Sequence, residues 1–324
     1  MRITMIEPSG HGGLAHFAYE LCQALASEGQ HVRLITSCDY ELANLPHSFE
    51  VRPIMRLWPK VSVDAGETKK TLAAEMTRRA RRGWRGIKLT YELARVTRNV
   101  ISDRPDAVLF SVISYPHLFL APYAMSKAGI KTAQICHEFD VRDHQLSWMQ
   151  NLALKACQRS YKNFSKIFFL SEATRQDFLD TVGLATDATA KIPHGSQNFF
   201  PRNSRHTVQK LRQQFGLGDD EPVLLYFGYI RPSKGINELI EAFAETRACK
   251  SARLIIAGYV TKFSGIGEIK KKAERWGISD RVIFETSYIP NDEVAGYFAL
   301  AQAVVLPYRS ASQSGVLHLA YGHG

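Results

Sequence analysis

Two cations lie in a short turn in the second half of the chain, where they are placed to bind an anion. Arg231 and Lys234 separate an apolar run, Val223–Phe227, from a helical repeat that begins at Ile236. The run ends at Gly228 and predicts a buried parallel strand. Free N–H groups and partial positive charge at the helix N-terminus would face a diphosphate. The planar guanidinium of Arg231 could bind it with two parallel hydrogen bonds, and the flexible Lys234 side chain would add a second positive charge. An ordinary strand-to-helix loop with solvated charges is the alternative reading.

A glycine-rich loop at residues 8–13 joins the first predicted strand to the first predicted helix. Gly12 and Gly13 allow a phosphate or an acceptor to approach the backbone closely at a helix N-terminus. Ala15 occupies the third glycine position of the dinucleotide fingerprint, so that fingerprint is not satisfied. Asp39 follows the second strand about where a ribose-binding acid would lie. A nicotinamide-dependent oxidoreductase is therefore an alternative interpretation of this half of the chain.

A histidine ends another predicted strand. His137 follows an apolar strand and shares its turn with Glu138 and Asp140. At the carboxyl end of a parallel strand, a histidine can position or polarise a substrate. A histidine satisfied by a backbone carbonyl is the structural alternative.

A third loop, after the last predicted strand, is rich in small hydroxyl groups. These groups can bind the hydroxyls of a polyol or a phosphate, and one of the serines can cap the following helix. The candidate donor-binding residues of this loop are Tyr308, Ser312, Gln313, Ser314 and Gly315.

A basic segment in the first half of the chain predicts contact with an anionic surface. Between residues 52 and 104 there are fourteen Lys and Arg residues against five acidic ones. Such a segment can lie on an anionic membrane or form a solvated helix face. No nucleic-acid-binding motif accompanies the charge, so nucleic acid is not an expected partner. The predicted membrane patch comprises Arg78, Arg79, Arg81, Arg82, Trp84, Arg85 and Lys88.

Composition indicates a globular protein with a net charge of +10. The five cysteines are scattered and form no metal-ligand pattern, which predicts a reduced, cytoplasmic protein without a metal site. No cofactor is expected either. No signal peptide precedes the first strand, and prolines interrupt the most apolar stretch, residues 107–125.

Strand-like and helix-like segments alternate along the whole chain. This pattern predicts an α/β fold with two doubly wound parallel sheets in Rossmann-like domains, at residues 1–198 and 199–324. Ligands of such sheets bind beyond the carboxyl ends of the strands. Two such domains that face each other would form a cleft.

Together these segments resemble the retaining glycosyltransferases of sequence family 4, which have the GT-B fold. The resemblance covers essentially the whole chain, and its landmarks occur in the order of the family. They are Gly12-Gly13, Gly29-Gln30-His31-Val32, His137, Ile192-Pro193-His194-Gly195, the segment from Gly228 to Gly235, residues 288–294 and residues 304–308.

The resemblance implies transfer of a hexose from a nucleoside diphosphate sugar to an acceptor hydroxyl. Arg231 and Lys234 match the residues that hold the donor diphosphate in place of a metal, and His137 matches the histidine near the transferred sugar. The first domain would bind the acceptor and the second the donor. The basic segment suggests a lipid-linked acceptor in exopolysaccharide or glycolipid assembly, at the inner face of the plasma membrane.

Three features depart from the family pattern. Arg231 lies three residues after Gly228 rather than one. The two donor-binding glutamates are absent: Ser312 or Gln313 stands at the first position, and Leu319 or Ala320 at the second. The family would continue beyond residues 322–324, which predicts an incomplete and impaired second domain. A non-catalytic module that binds sugar nucleotides or membranes is therefore the second hypothesis.

Overall fold

The computed structural model describes residues 1–57, 72–113, 116–137, 148–195, 199–200, 205–246, 248–261, 265–311 and 313–323. The chain divides into two compact units, Met1–Gly195 (unit 1) and Ser196–Gly324 (unit 2). The sequence placed the boundary after residue 198. Because residues 196–198 lie outside the described part, that boundary stays a prediction.

Unit 1 contains a seven-stranded parallel sheet with the order β3-β2-β1-β4-β5-β6-β7. The strand order reverses between β1 and β4, which makes their carboxyl ends a topological switch point. The elements are β1 Arg2–Glu7, α1 Gly12–Ser27, β2 His31–Ser37, β3 Glu50–Met55, α2 Leu72–Asp103, β4 Ala107–Phe110, α3 Leu120–Lys127, β5 Lys131–Cys136, α4 Trp148–Ser160, β6 Lys166–Phe169, α5 Glu172–Val182 and β7 Thr189–Lys191.

The core of unit 1 forms because its central strands are apolar on both faces. Met5 and Ile6 of β1 are fully buried, as expected for a strand covered on two sides. The second half of α2 adds Leu93, Val96 and Val100 to the same core. Helix α2 contacts α3, and both α2 and α4 contact the short 3-10 helix Pro116–Phe119.

Unit 2 contains a four-stranded parallel sheet with the order β10-β9-β8-β11. Here the order reverses between β8 and β11, so unit 2 has a switch point of its own. The elements are α6 Arg205–Gln214, β8 Val223–Phe227, α7 Ile236–Glu245, α8 Ala248–Ser251, β9 Arg253–Ala257, α9 Ile266–Arg275, β10 Val282–Glu285, α10 Asn291–Leu300, β11 Ala303–Val304 and α11 Gly315–His323.

The prediction of doubly wound parallel sheets is confirmed, and β3 and β7 are two strands that an apolar sequence pattern does not reveal. Both lie at the edges of the sheet in unit 1. Strand β3 contains Pro53 and exposed residues, and β7 has only three residues. Edge strands tolerate proline and need not be apolar, so they lack the pattern of a buried strand. No described helix combines the length and the apolar composition needed to cross a bilayer.

Candidate functional site

The two loops that leave the switch point of unit 2 meet at one edge of the sheet. Gly228 follows β8 with a φ of 116°, and its N–H donates to the Ala257 carbonyl at 3.0 Å. A Cβ atom on Gly258, whose φ is 145°, would lie 1.9 Å from the Gly228 carbonyl oxygen. Only glycine at position 258 therefore allows the first loop to lie against the end of β9.

The cationic turn is fixed by one tyrosine and one close backbone contact. The buried Tyr226 hydroxyl donates to the Tyr229 carbonyl at 2.7 Å, which anchors the residues before Arg231. Gly235 has a φ of 66°, and a Cβ atom there would lie 1.8 Å from the Pro307 carbonyl oxygen. The turn after β8 therefore packs directly on the loop after β11.

Lys234 lies over the ring of Tyr308. Its Nζ atom is 3.6 Å from the ring centroid, a cation–π contact. The Ser314 hydroxyl donates to the Tyr308 hydroxyl at 3.2 Å and accepts from the Leu317 N–H at 3.2 Å. Ser314 thus caps α11 and also fixes the ring beneath the lysine.

Arg231 acts electrostatically on the same tyrosine. Burial raises the pKa of Tyr308, while the hydrogen bond from Ser314 and the Arg231 guanidinium act to lower it. Lys234 contacts the ring and Arg231 acts on its hydroxyl electrostatically, so both cations belong to the loops at the carboxyl ends of β8 and β11. Two like charges held near each other favour a ligand with more than one negative charge.

The structure brings together most of the predicted donor-binding residues. The Lys234, Tyr308 and Ser314 contacts form one group, and Gly315 begins α11. A Cβ on Gly228 would lie 3.2 Å from Val316, so the first loop also borders α11. Ser312 lies outside the described residues.

Gln313 occupies a distinctive position in the second loop. Its Oε1 atom is buried and accepts no hydrogen bond from the described residues. A buried amide oxygen without a partner has a free-energy cost, which a hydroxyl of a bound ligand would relieve. Gln313 is therefore a candidate contact to such a hydroxyl.

One contact between the two loops was not predicted. Arg309 Nε donates to Glu238 Oε1 at 2.6 Å, and the Arg309 N–H donates to the Ser233 carbonyl at 3.0 Å. The hydrogen bond from Arg309 lowers the pKa of Glu238. Arg309 and Glu238 are 71 residues apart in the chain, so the sequence shows that their charges are opposite but not that they are in contact.

The glycine-rich loop of unit 1 is held by a buried carboxylate at the end of β1. Glu7 accepts hydrogen bonds from the Ser9 hydroxyl at 2.5 Å and from the Gly10 N–H at 2.7 Å. Burial raises the pKa of Glu7, and these hydrogen bonds oppose the rise. The sequence analysis did not identify this residue, although an acid in an otherwise apolar strand is a usable signal.

A second carboxylate contacts the N-terminus of α1. Glu41 Oε1 accepts from the Gly12 N–H at 2.5 Å and lies 2.8 Å from Nε2 of His16. The side chains of Glu41 and His16 are 2% and 11% exposed. The Gly12 N–H, which the sequence assigned to a phosphate or an acceptor, therefore contacts a side chain of the protein. A Cβ atom on Gly13 would have no neighbour within 4 Å, so there is open space beside the loop.

Two histidines lie against one phenylalanine in unit 1. The His137 and His194 ring centroids are 5.0 and 5.2 Å from that of Phe17, both in edge-on geometry. Burial lowers the pKa of His137 to about 4, and the nearby His194 contributes to the shift. His137 is therefore neutral at pH 7, able to donate or accept hydrogen bonds but not to supply charge. Glu138 and Asp140 lie outside the described residues.

The predicted membrane patch is only partly described. Trp84 is exposed, Arg85 is half-buried, and Lys88 Nζ donates to the Leu57 carbonyl at 3.2 Å. The side chains of Arg78, Arg79, Arg81 and Arg82 lie outside the described part. Among the described residues, no group of three or more His, Cys, Asp or Glu side chains is placed to hold a metal ion.

Two family profiles match successive parts of the chain. The profile described as Glycosyltransferase Family 4 matches residues 11–196, and that described as Glycosyl transferases group 1 matches residues 207–317. The first match alone covers more than half of the chain.

Individual relatives are distant. The chain is 26% identical over 160 residues to alpha-D-kanosaminyltransferase of Streptomyces kanamyceticus, a match that covers 49% of this chain and 40% of the relative. It is 30% identical over 130 residues to lipopolysaccharide 1,2-N-acetylglucosaminetransferase of Salmonella typhimurium, covering 38% and 33%. The chain spans only 18–50% of the length of the curated relatives it matches.

Solved structures resemble the whole chain. Anabaena HepE in complex with UDP and glucose matches with a TM-score of 0.68 and 17% identity, over 100% of this chain and 78% of that one. WaaG, a glycosyltransferase involved in lipopolysaccharide biosynthesis, matches with a TM-score of 0.63 and 16% identity, over 100% and 79%.

Proposed function

Because the chain belongs to glycosyltransferase family 4 and has the GT-B fold, we propose that it transfers a sugar from a nucleoside diphosphate donor to an acceptor hydroxyl. The proposal extends to a hexose, moved with retention at the anomeric carbon, and to a saccharide or lipid-linked acceptor in exopolysaccharide or glycolipid assembly. Relatives named for kanosamine, N-acetylglucosamine and mannose transfer support sugar chemistry. Unit 1 would bind the acceptor and unit 2 the donor.

One observation carries this proposal. Lys234 lies over the ring of Tyr308, on whose pKa the Arg231 guanidinium also acts, where the loops after β8 and β11 meet. This place is the switch point of the sheet, where ligands of open α/β folds bind. HepE, which shares the fold, was crystallised with UDP, and this supports a nucleotide as the ligand.

The reaction breaks the bond between the anomeric carbon and the diphosphate oxygen, so negative charge grows on the leaving group. The guanidinium of Arg231 and the ammonium of Lys234 would stabilise that charge electrostatically. We propose that they do so without a metal or cofactor. The amide of Gln313 would position the sugar through hydrogen bonds.

The first test is nucleotide binding. Thermal unfolding would be followed with UDP, GDP, ADP and their sugars, since a ligand at a hundred times its Kd stabilises the folded state by about 2.7 kcal/mol. We expect one nucleotide to stabilise the wild type and to lose this effect in Arg231→Ala/Lys234→Ala. The control is Lys271→Ala/Arg275→Ala, which removes two exposed cations from α9. Equal loss in both variants would contradict a specific diphosphate site.

One feature favours a non-catalytic sugar-nucleotide module. Leu319 is buried in the core of unit 2 and Ala320 packs against that core, so neither candidate for the second glutamate position offers a carboxylate to a ligand. Turnover separates the two functions. The transferase predicts release of nucleoside diphosphate that increases with added acceptor, whereas the module predicts binding without release.

A further inference from the structure

Large exposed apolar side chains of unit 1 concentrate on two contacting helices. Trp84, Ile87 and Tyr91 of α2 are 63, 65 and 66% exposed. Leu120 and Tyr123 of α3, which contacts α2, are 68 and 47% exposed. These five side chains are called the α2–α3 apolar surface. Concentrated apolar exposure of this kind marks interaction sites in soluble proteins.

The three residues of α2 share one stripe of the helix. Trp84, Ile87 and Tyr91 are spaced by three and four residues, which places them one above another on the same face. Leu93 and Val96 of the same helix lie in the core of unit 1. The stripe therefore points away from the core that holds the helix in place.

Charge identifies the partner. By sequence, α2 contains eight Lys and Arg residues against three acidic ones. Of the cations with described side chains, Lys88 and Arg95 donate to the carbonyls of Leu57 and Ile54, which ties α2 to the segment that contains β3. By sequence, α2 therefore has a net charge of +5, which complements an anionic surface.

We infer that the α2–α3 apolar surface docks on an anionic lipid bilayer, with Trp84 and Tyr91 at the level of the lipid headgroups. Tryptophan and tyrosine favour that level because their rings are amphipathic. A helix with an aromatic stripe and many cations binds in the plane of an interface through apolar burial and attraction to anionic lipid. The basic stretch alone suggested membrane contact; the structure supplies the residues that insert.

A second copy of the chain is a less suitable partner for this surface. Two copies that met through α2 would bring two helices with the same excess of positive charge together, and like charges repel. This repulsion would oppose the burial of the apolar stripe in a dimer interface. An anionic bilayer turns this charge into an attraction.

Vesicle binding tests the inference and does not depend on any transferase activity. The full chain would be sedimented with vesicles of equimolar phosphatidylcholine and phosphatidylglycerol, without nucleotide. We expect Trp84→Ala/Tyr91→Ala to lower the partition coefficient at least roughly tenfold, since both rings lose their burial in the interface. The matched control, Trp276→Ala/Tyr321→Ala, removes one exposed ring of each kind from unit 2 and should leave it unchanged.

A further double variant distinguishes loss of membrane binding from loss of folding. Trp84→Phe/Tyr91→Phe keeps the apolar rings and should restore most of the binding. Wild-type binding should also fall on pure phosphatidylcholine vesicles. Equal partitioning of Trp84→Ala/Tyr91→Ala and the wild type would overturn the inference. So would a dimer seen by light scattering without vesicles that the same substitutions abolish.

Discussion

The switch points of the two units share a topology but differ in the side chains around their loops, which are acidic in unit 1 and cationic in unit 2. In unit 1, two carboxylates, Glu7 and Glu41, contact the loop after β1 and the first turn of α1. In unit 2, two cations, Arg231 and Lys234, lie where the loops after β8 and β11 meet. Sheet topology thus provides the place for a ligand, and the side chains around the loops decide its charge.

The difference assigns different ligands to the two loops. A helix N-terminus attracts anions through its exposed N–H groups, and the Gly12 N–H of α1 already contacts the Glu41 carboxylate. We therefore expect unit 1 to bind a neutral hydroxyl compound rather than a phosphate. Unit 2 keeps the arrangement suited to a diphosphate.

The largest effect on stability is expected from a substitution that prevents the loop after β8 from packing against the end of β9. Gly258→Ala would place a Cβ atom against the backbone oxygen of Gly228, which cannot move without displacing the loop after β8. We expect a loss of more than about 3 kcal/mol in the unfolding free energy of unit 2, measured by urea denaturation. Gly267→Ala, in α9 with nothing near its Cβ position, is the control and should be neutral or stabilising.

Acidification should weaken unit 1 through His137. Its folded-state pKa of about 4 lies below the ordinary value of 6.5, so the unfolded chain binds the proton more tightly. The contribution of the neutral His137 imidazole to the free energy of unfolding is therefore complete above pH 6.5. It falls by about 3 kcal/mol in total as the pH decreases toward 4. Denaturation across this range should show a shallower pH dependence in His137→Gln; an unchanged slope would argue against a neutral, buried imidazole.

Removing the Glu41 side chain should have a smaller effect on stability. Glu41→Ala removes the carboxylate from both His16 and the Gly12 N–H, and we expect a cost of about 2 kcal/mol in unfolding free energy. Glu41→Gln, which keeps an acceptor, should cost less. If either variant gained affinity for inorganic phosphate, the carboxylate would be confirmed as the group that excludes anions from unit 1.

The smallest effect is expected at Tyr308. Tyr308→Phe keeps the ring beneath Lys234, whereas Tyr308→Leu removes it. We expect Tyr308→Leu to weaken nucleotide binding by about 1 kcal/mol and Tyr308→Phe by much less, because the cation–π contact uses the ring face. Calorimetric titration would measure both, and equal weakening would assign the effect to the hydroxyl and Ser314 instead.

The sequence predicted the sheets well where strands are buried and poorly where they are not. Central strands such as β1 and β8 are continuous apolar runs, which periodicity detects. The edge strands β3 and β7 lack this signal because one side of each has no neighbouring strand. Among its described side chains, the long helix α2 contributes Leu93, Val96 and Val100 to the core of unit 1.

Candidate site residues were predictable by chemical type, and their contacts were not. Arg231, Lys234 and Tyr308 stand in loops after apolar runs, so residue type and position indicated them. Glu41 meets the Gly12 N–H across 29 residues, and Arg309 meets Glu238 across 71. Contacts at such separations depend on how helices and loops pack, which one sequence does not encode locally.

The paired cations beside Tyr308 also have a kinetic consequence. Their field reaches about 8 Å at physiological ionic strength, so it acts on an approaching nucleotide before any contact forms. The association rate constant should therefore decrease as salt is added, while the dissociation rate constant changes little. Stopped-flow binding at several salt concentrations would reveal this, and Arg231→Ala/Lys234→Ala should flatten the dependence. Ionic strength would then affect the rate of donor binding more than the lifetime of the bound complex.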